Sequence, residues 1–297
     1  MTKHHCFVVF SLLVVLVPFA FVTCVQAQAP EPRQPAQTNA SWLWLEQFAG
    51  STNANGQVFS LTSTAGYNFN SHFGAVAGLP VYFVRPSAST TSSNGVGDFF
   101  AGVRLAFPNP AVNYRMTLIG TVPTGDSSTG VSTGHATYDW TNHFDRSFGR
   151  WTPYANLGLS NSIPESFLFQ RPFASFGHLA HFEAGAAWRL VGPLNVSASA
   201  YDIEPWGTQE VFSRVVRSGG PPAGMGRSGR VFELNQQTTG GASLTRDHGF
   251  NAGLNMRWTS LVETWVGFSR SVNLDLNTVS FGVGVNMTKL LGLGRVE

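Results

Sequence analysis

The stretch HFEAGAAWRL, His181–Leu190, decides the fold. His181, Glu183, Gly185, Ala187 and Arg189 fall on one parity, and Phe182, Ala184, Ala186, Trp188 and Leu190 on the other. A period of two is the signature of an extended strand, whose side chains alternate between two faces. One face is greasy, and the other carries an imidazole, a carboxylate and a guanidinium. Either the apolar face packs on a protein core and the charged face meets water, or the apolar face meets lipid and the charged face lines a lumen.

Composition favours lipid. Asp, Glu, Lys and Arg make up 11% of the 297 residues, against roughly 25% in soluble domains. Lysine occurs only at Lys3 and Lys289, too little charge for an ordinary water-facing surface. The formal charge of +2 gives no argument for nucleic acid as a partner.

The N-terminus reads as a secretory signal over residues 1–27. Lys3, His4 and His5 precede an apolar run from Phe7 to Val25, and Val25-Gln26-Ala27 supplies small residues for cleavage before Gln28. The run is long enough for a membrane anchor, but Pro18 interrupts it. Thr23 before Cys24 makes a poor lipidation site. Cys6 and Cys24, the only cysteines, would leave with the signal. The mature chain then has no disulfide, thiolate nucleophile or cysteine metal ligand. Residues 28–40 form a Pro/Gln-rich tail with no strand pattern.

From residue 41 onward twelve segments read as strands: 41–49, 57–69, 72–84, 97–107, 111–122, 135–144, 151–163, 178–190, 194–206, 247–259, 261–270 and 277–288. Most are ten to thirteen residues long. Globular strands average about five or six residues, whereas membrane-spanning strands need about nine to eleven. The connections alternate between tight turns and longer loops, the rhythm of an outer-membrane barrel. The alternation makes 41–49 an ascending strand and places both termini in the periplasm. The expected fold is therefore all-β, an antiparallel transmembrane barrel of about twelve strands over 41–288, with a C-terminal tail at 289–297. Val279, Phe281, Val283, Val285 and Met287 oppose Ser280, Gly282, Gly284, Asn286 and Thr288, which supports that facing. Aromatics near the tight turns, including Phe69, Phe73, Phe107, Phe148, Trp151, Trp188, Trp258 and Trp265, read as an interfacial girdle. A secreted soluble sandwich also alternates, but does not account for the strand length, the loop rhythm or the missing lysines.

Two stretches go beyond a generic barrel: NGVGDFFAGVRLAF, 94–107, and TLIGTVPTGDSSTGVSTG, 117–134. A Gly-x-Gly-Asp opening before one strand, and Val-Pro-Thr-Gly-Asp closing another, resemble the outer-membrane transporter family linked to phenol meta-cleavage pathways. The resemblance has motif detail over residues 57–160 and covers the rest by pattern. It implies a barrel that passes hydrophobic or aromatic compounds. On physical grounds Gly95, Gly97 and Gly125 permit tight turns, Pro123 ends strand pairing, and Asp98 and Asp126 cap turns. The C-terminus departs from common barrel practice, since the last strand does not finish on an aromatic residue.

Arg104, Arg115, His181, Glu183, Arg189 and Arg257 are the candidates to line the lumen. The 207–246 loop carries a basic cluster, Arg214, Arg217, Arg227 and Arg230. It reads as a lid over or in the barrel, as a lipopolysaccharide-phosphate site, or as a mobile external loop. A hydrolytic reading would have Glu183 orient His181, with Ser197 or Ser199 as nucleophile. The alternative is a lumenal hydrogen-bond network, which the sequence favours. No catalytic residue, metal ligand set or cofactor is expected. The reading is a passive channel or transporter for small molecules in the outer membrane of a Gram-negative-type bacterium, bathed in membrane lipid and lipopolysaccharide. The alternatives are a structural or surface-interaction barrel and a lipid-modifying enzyme.

Overall fold

The computed structural model describes residues 41–87, 92–165, 170–216, 232 and 235–292. The signal and tail expected at 1–40 lie outside the described residues, as do Arg217, Arg227 and Arg230. Among the described residues no helix is long and apolar enough to cross a membrane.

The strands are β1 (Ser41–Asn53), β2 (Gly56–Asn68), β3 (Phe73–Pro86), β4 (Ser93–Val96), β5 (Phe99–Phe107), β6 (Asn113–Val122), β7 (Thr137–Asp145), β8 (Trp151–Ser160), β9 (Phe173–Phe176), β10 (Leu179–Val191), β11 (Leu194–Pro205), β12 (Gln209–Ser213), β13 (Gln237–Gly240), β14 (Asp247–Arg257), β15 (Val262–Ser271) and β16 (Leu276–Asn286). The large sheet runs β2-β1-β16-β15-β14-β11-β10-β8-β7-β6-β5-β3-β4, and β2 also pairs with β3, so the sheet closes. Because β4 pairs with the upper part of β3 and β5 with the lower part, β4 and β5 are two pieces of one wall strand. The wall therefore has twelve staves, each at one of the twelve expected positions. All wall pairings are antiparallel. Closure pairs every wall strand on both sides except the short β4, which solves the problem of unpaired backbone groups in hydrocarbon.

The opening stretch lies on β10 and faces as its period requires. Phe182 is 43% exposed on the outer surface, while His181 is 8% exposed within. The same inversion of a soluble core holds around the ring: Phe48, Leu61, Leu118, Leu157, Phe250, Val266 and Phe281 lie exposed outside. Ser51, Ser60, Thr64, Ser160, Ser269, Thr278 and Ser280 are buried inside. Small inward residues let opposing side chains and loops share the lumen.

Two expectations are corrected. Trp265 is not part of the girdle; it points inward on β15, 8% exposed, beside Ala49 and over Gly282. Its parity, shared with Glu263, Gly267 and Ser269, requires this. The last strand ends at Asn286 and gives way to a helical turn, α1 (Met287–Leu290). The Asn286 side chain accepts from Lys289 N at 3.0 Å, capping the turn and ending the ladder.

Candidate functional site

The lumen contains a built constriction, and it starts from chain connectivity. The 161–178 loop leaves β8 and returns to β10, diametrically opposite β1 and β2 in the ring order. It crosses the lumen to reach them. Ser51 Oγ donates to the Gln170 carbonyl at 2.9 Å, and Gln170 Nε2 donates to Ser60 Oγ at 2.5 Å. Arg171 lies 3.7 Å from the buried Asp247 carboxylate on β14. Tyr201 and Ser271 also donate to that carboxylate, at 2.9 and 2.6 Å.

The 206–246 loop joins this bridge. Its strand β12 pairs with β9 on one side and β13 on the other, forming a separate three-stranded sheet. Gln209, fully buried, fixes the base of the loop: its amide donates to the carbonyls of Trp206 and His178, and it accepts from Thr245 Oγ1 at 2.8 Å. An apolar cluster seals the bridge to the barrel. Ile163, Phe173, Val211, Val215 and Phe232 pack with the wall residues Val58, Val84, Leu179 and Ile203. Within the described residues, then, the 206–246 loop enters the lumen with the 161–178 loop. Arg214, of the basic cluster on this loop, is 6% exposed and turned inward. Its partners are internal. It forms an ion pair with Glu165, donates Nε to the Gly130 carbonyl at 2.9 Å and Nη1 to the Arg171 carbonyl at 3.0 Å. Its guanidinium also stands 4.5 Å from the centre of the Tyr82 ring.

The two glycine-rich motifs form a clasp that braces a third loop, 123–136. The wall strand breaks at Gly97-Asp98, between β4 and β5. There Thr124 Oγ1 donates to the Gly97 carbonyl at 2.9 Å and accepts from Phe99 N at 2.8 Å. Gly125 N donates to Asp98 Oδ1 at 3.1 Å. A Cβ on Gly125 would stand 2.7 Å from the Val96 carbonyl oxygen and 3.1 Å from Gly97 Cα, so only glycine allows this approach. Asp126 caps the 3-10 turn Ser127–Thr129, accepting from Ser128 N and Oγ at 2.8 Å each. The Ser128 hydroxyl and then its backbone N–H hold the exposed Asp126 carboxyl below the usual carboxylate range. Asp126 thus acts as a turn acceptor, whereas Asp98 accepts across the clasp from another loop.

Beneath and beside the bridge a cavity of about 190 Å3 runs along the wall from β3 to β8. Phe100, Ile119, Val131, Ile163 and Phe173 give it apolar surface, and Thr117, Thr121, Thr137, Thr141, Asp98 and Asp139 give it polar surface.

Each of the six sequence candidates for the lumen sits on the inward parity of its strand. Most are already engaged. Arg104 donates to Asn68 Oδ1 at 2.8 Å. Arg115 lies 3.5 Å from Asp145, and Arg257 lies 3.7 Å from Glu263. Arg189 is exposed at the tight-turn mouth. His181 Nε2 meets Asp139 Oδ1 at 2.8 Å, and Glu183 accepts from Asn156 Nδ2 at 2.8 Å and from Tyr154 OH at 3.3 Å. The Glu183–His181–Ser arrangement of a hydrolase does not assemble: Asp139, not Glu183, holds the imidazole, and Asn251 Nδ2 donates to Ser199 Oγ at 3.4 Å. These contacts form a polar network. Asp139, His143, Asp145, Asn156 and Glu263 belong to it too, and their parity on β7, β8 and β15 was the available signal. Glu165, Gln170 and Arg171 had no periodic signal.

Neither a protein-family model nor a curated protein matches the chain. Solved structures do resemble it. An outer-membrane channel from Pseudomonas putida F1 superposes with a TM-score of 0.56 at 12% identity, covering 87% of this chain and 99% of that one. The NanC porin gives 0.48 at 6% identity, over 81% and 99% of the two chains. The KdgM porin gives 0.45 at 9%, over 82% and 98%. By the first of these the chain has an outer-membrane β-barrel fold: closed, antiparallel, with a polar interior and an apolar exterior.

Proposed function

We propose that this chain is a passive outer-membrane channel for small molecules, with single-ring amphipathic or aromatic compounds as its solutes. The observation that carries the reading is the cavity beside the bridge. A cavity of about 150 Å3 accommodates benzene, and the space here is about 190 Å3 with mixed lining. Hydroxyls on one side and rings and aliphatic groups on the other suit a solute with an apolar body and a polar edge. The resemblance of the 94–107 and 117–134 motifs to a family linked to phenol meta-cleavage points to the same solute class.

In this reading residues 1–27 are removed on export, the tight turns and both termini face the periplasm, and the long loops face outward. The rim residues Arg246 and Arg270 then lie at the lipopolysaccharide side. The test is flux through the purified, folded protein in liposomes and planar bilayers. Single-ring solutes should pass faster than a disaccharide, with small discrete ionic currents. A folded protein giving neither solute flux nor current would overturn the reading in favour of a structural barrel.

A further inference from the structure

We propose that Arg214 is a tethered occupant of a guanidinium-binding site, and that its occupancy holds the constriction shut; the consequence for flux rests on the channel reading above, while the site does not. The argument is geometric. A guanidinium offers five N–H donors in a rigid fork. The acceptors around this one come from separate parts of the chain: the Glu165 carboxylate and Arg171 carbonyl from the 161–178 loop, and the Gly130 carbonyl from the 123–136 loop. The Tyr82 ring on the β3 wall covers its face at 4.5 Å. Tyr82 OH donates to the second Glu165 oxygen at 3.3 Å, so the carboxylate is held from both sides. Arg214 itself belongs to the 206–246 loop. One side chain therefore ties three inward-folded loops to each other and to the wall.

The Arg171–Asp247 ion pair ties the 161–178 loop to β14, and the remaining ties join no more than two of the loops to the wall. Gln170 makes neutral hydrogen bonds to β1 and β2, and the apolar cluster is non-directional. Charge-assisted bonds to a planar fork are the strong, orienting class. Removing the guanidinium would leave a half-buried carboxylate, held by Tyr82 alone, and two carbonyls without their shared donor, an arrangement that favours separation of the loops. The vacated cage would retain the shape and charge to take a free guanidinium ion.

The test uses Arg214→Ala in the full folded barrel, with two readouts. Chymotryptic cleavage after Phe173 and Phe212, which are 2% and 4% exposed, should accelerate at least tenfold, and flux should rise severalfold. Guanidinium chloride at about 20 mM, far too dilute to denature, should slow cleavage and lower flux towards wild type, while tetramethylammonium at the same concentration should not. Glu165→Gln should loosen the loops likewise but show no recovery with guanidinium. Should Arg214→Ala not refold, Arg214→Lys tests the same point, because an ammonium keeps the charge but cannot span the acceptors; cleavage should again accelerate. Unchanged cleavage in either Arg214 variant would overturn the proposal, as would acceleration in Arg214→Ala that guanidinium fails to reverse. Absence of flux in every variant, with cleavage accelerated and guanidinium-protected, would refute the channel and leave the site standing.

Discussion

Arginine placed at Val266 probes the medium that surrounds the barrel. Val266 is the fifth of ten residues on β15, 44% exposed on the outer face, with Leu254 and Phe281 beside it in register. A strand rises about 3.4 Å per residue, and at a tilt of about 40° ten residues span roughly 26 Å, close to the apolar band of about 25 Å. Val266 is therefore near the midplane. A guanidinium there costs about 2–4 kcal/mol in a bilayer, whereas an exposed surface substitution in water stays within about 0.5 kcal/mol. Reversible denaturant unfolding from liposomes reads the difference. Val272→Arg, in the turn beyond β15 and equally exposed, is the depth control and should cost about 0–1 kcal/mol. Equal, near-zero costs at both positions would refute the claim that lipid solvates this face.

Further outcomes follow from the same geometry. Trp265→Ala should cost about 3–5 kcal/mol, because the ring is buried in the lumen, and Trp188→Ala, half exposed on the outer face, should cost clearly less; equilibrium unfolding of the two variants compares them. Gly125→Ala should loosen the clasp at a cost of about 1–3 kcal/mol, since the new methyl meets backbone that cannot yield. Its signature is faster hydrogen exchange at Gly125 N and Phe99 N with the rest of the barrel unchanged.

The wall was legible in the sequence because every stave faces two solvents, and two solvents impose a period of two. On β10 the sequence separates Phe182 from His181 as cleanly as the structure does. Asp126 of the clasp was legible for a local reason, since turn chemistry is decided within a few residues; Asp98, which accepts from Gly125 on another loop, was not. The bridge was not. Gln170 finds Ser51 and Ser60 across the barrel, and Arg214 finds Gly130, Glu165 and Arg171 on two other loops. Such contacts depend on where the closed ring brings loops together, and no local spacing encodes them. Arg214 therefore read only as one of a basic cluster on a loop that could be a lid or an external segment. Trp265 is a different case, because its parity with Glu263 and Ser269 carried the answer while its nearness to a tight turn suggested a girdle.

The most direct measurement is a cysteine scan of β10. The only native cysteines, Cys6 and Cys24, precede the barrel, so single cysteines at 182 through 188 report on this strand alone once those two are absent. In liposomes, a water-soluble maleimide should label positions 183 and 187, position 185 being left as glycine because a Cβ there would stand 2.4 Å from the Ala198 carbonyl oxygen, while a lipid-borne quencher should reach fluorophores at 182, 184, 186 and 188. Labelling without alternation, or aqueous labelling confined to the even positions, would contradict a ring with oil outside and water within.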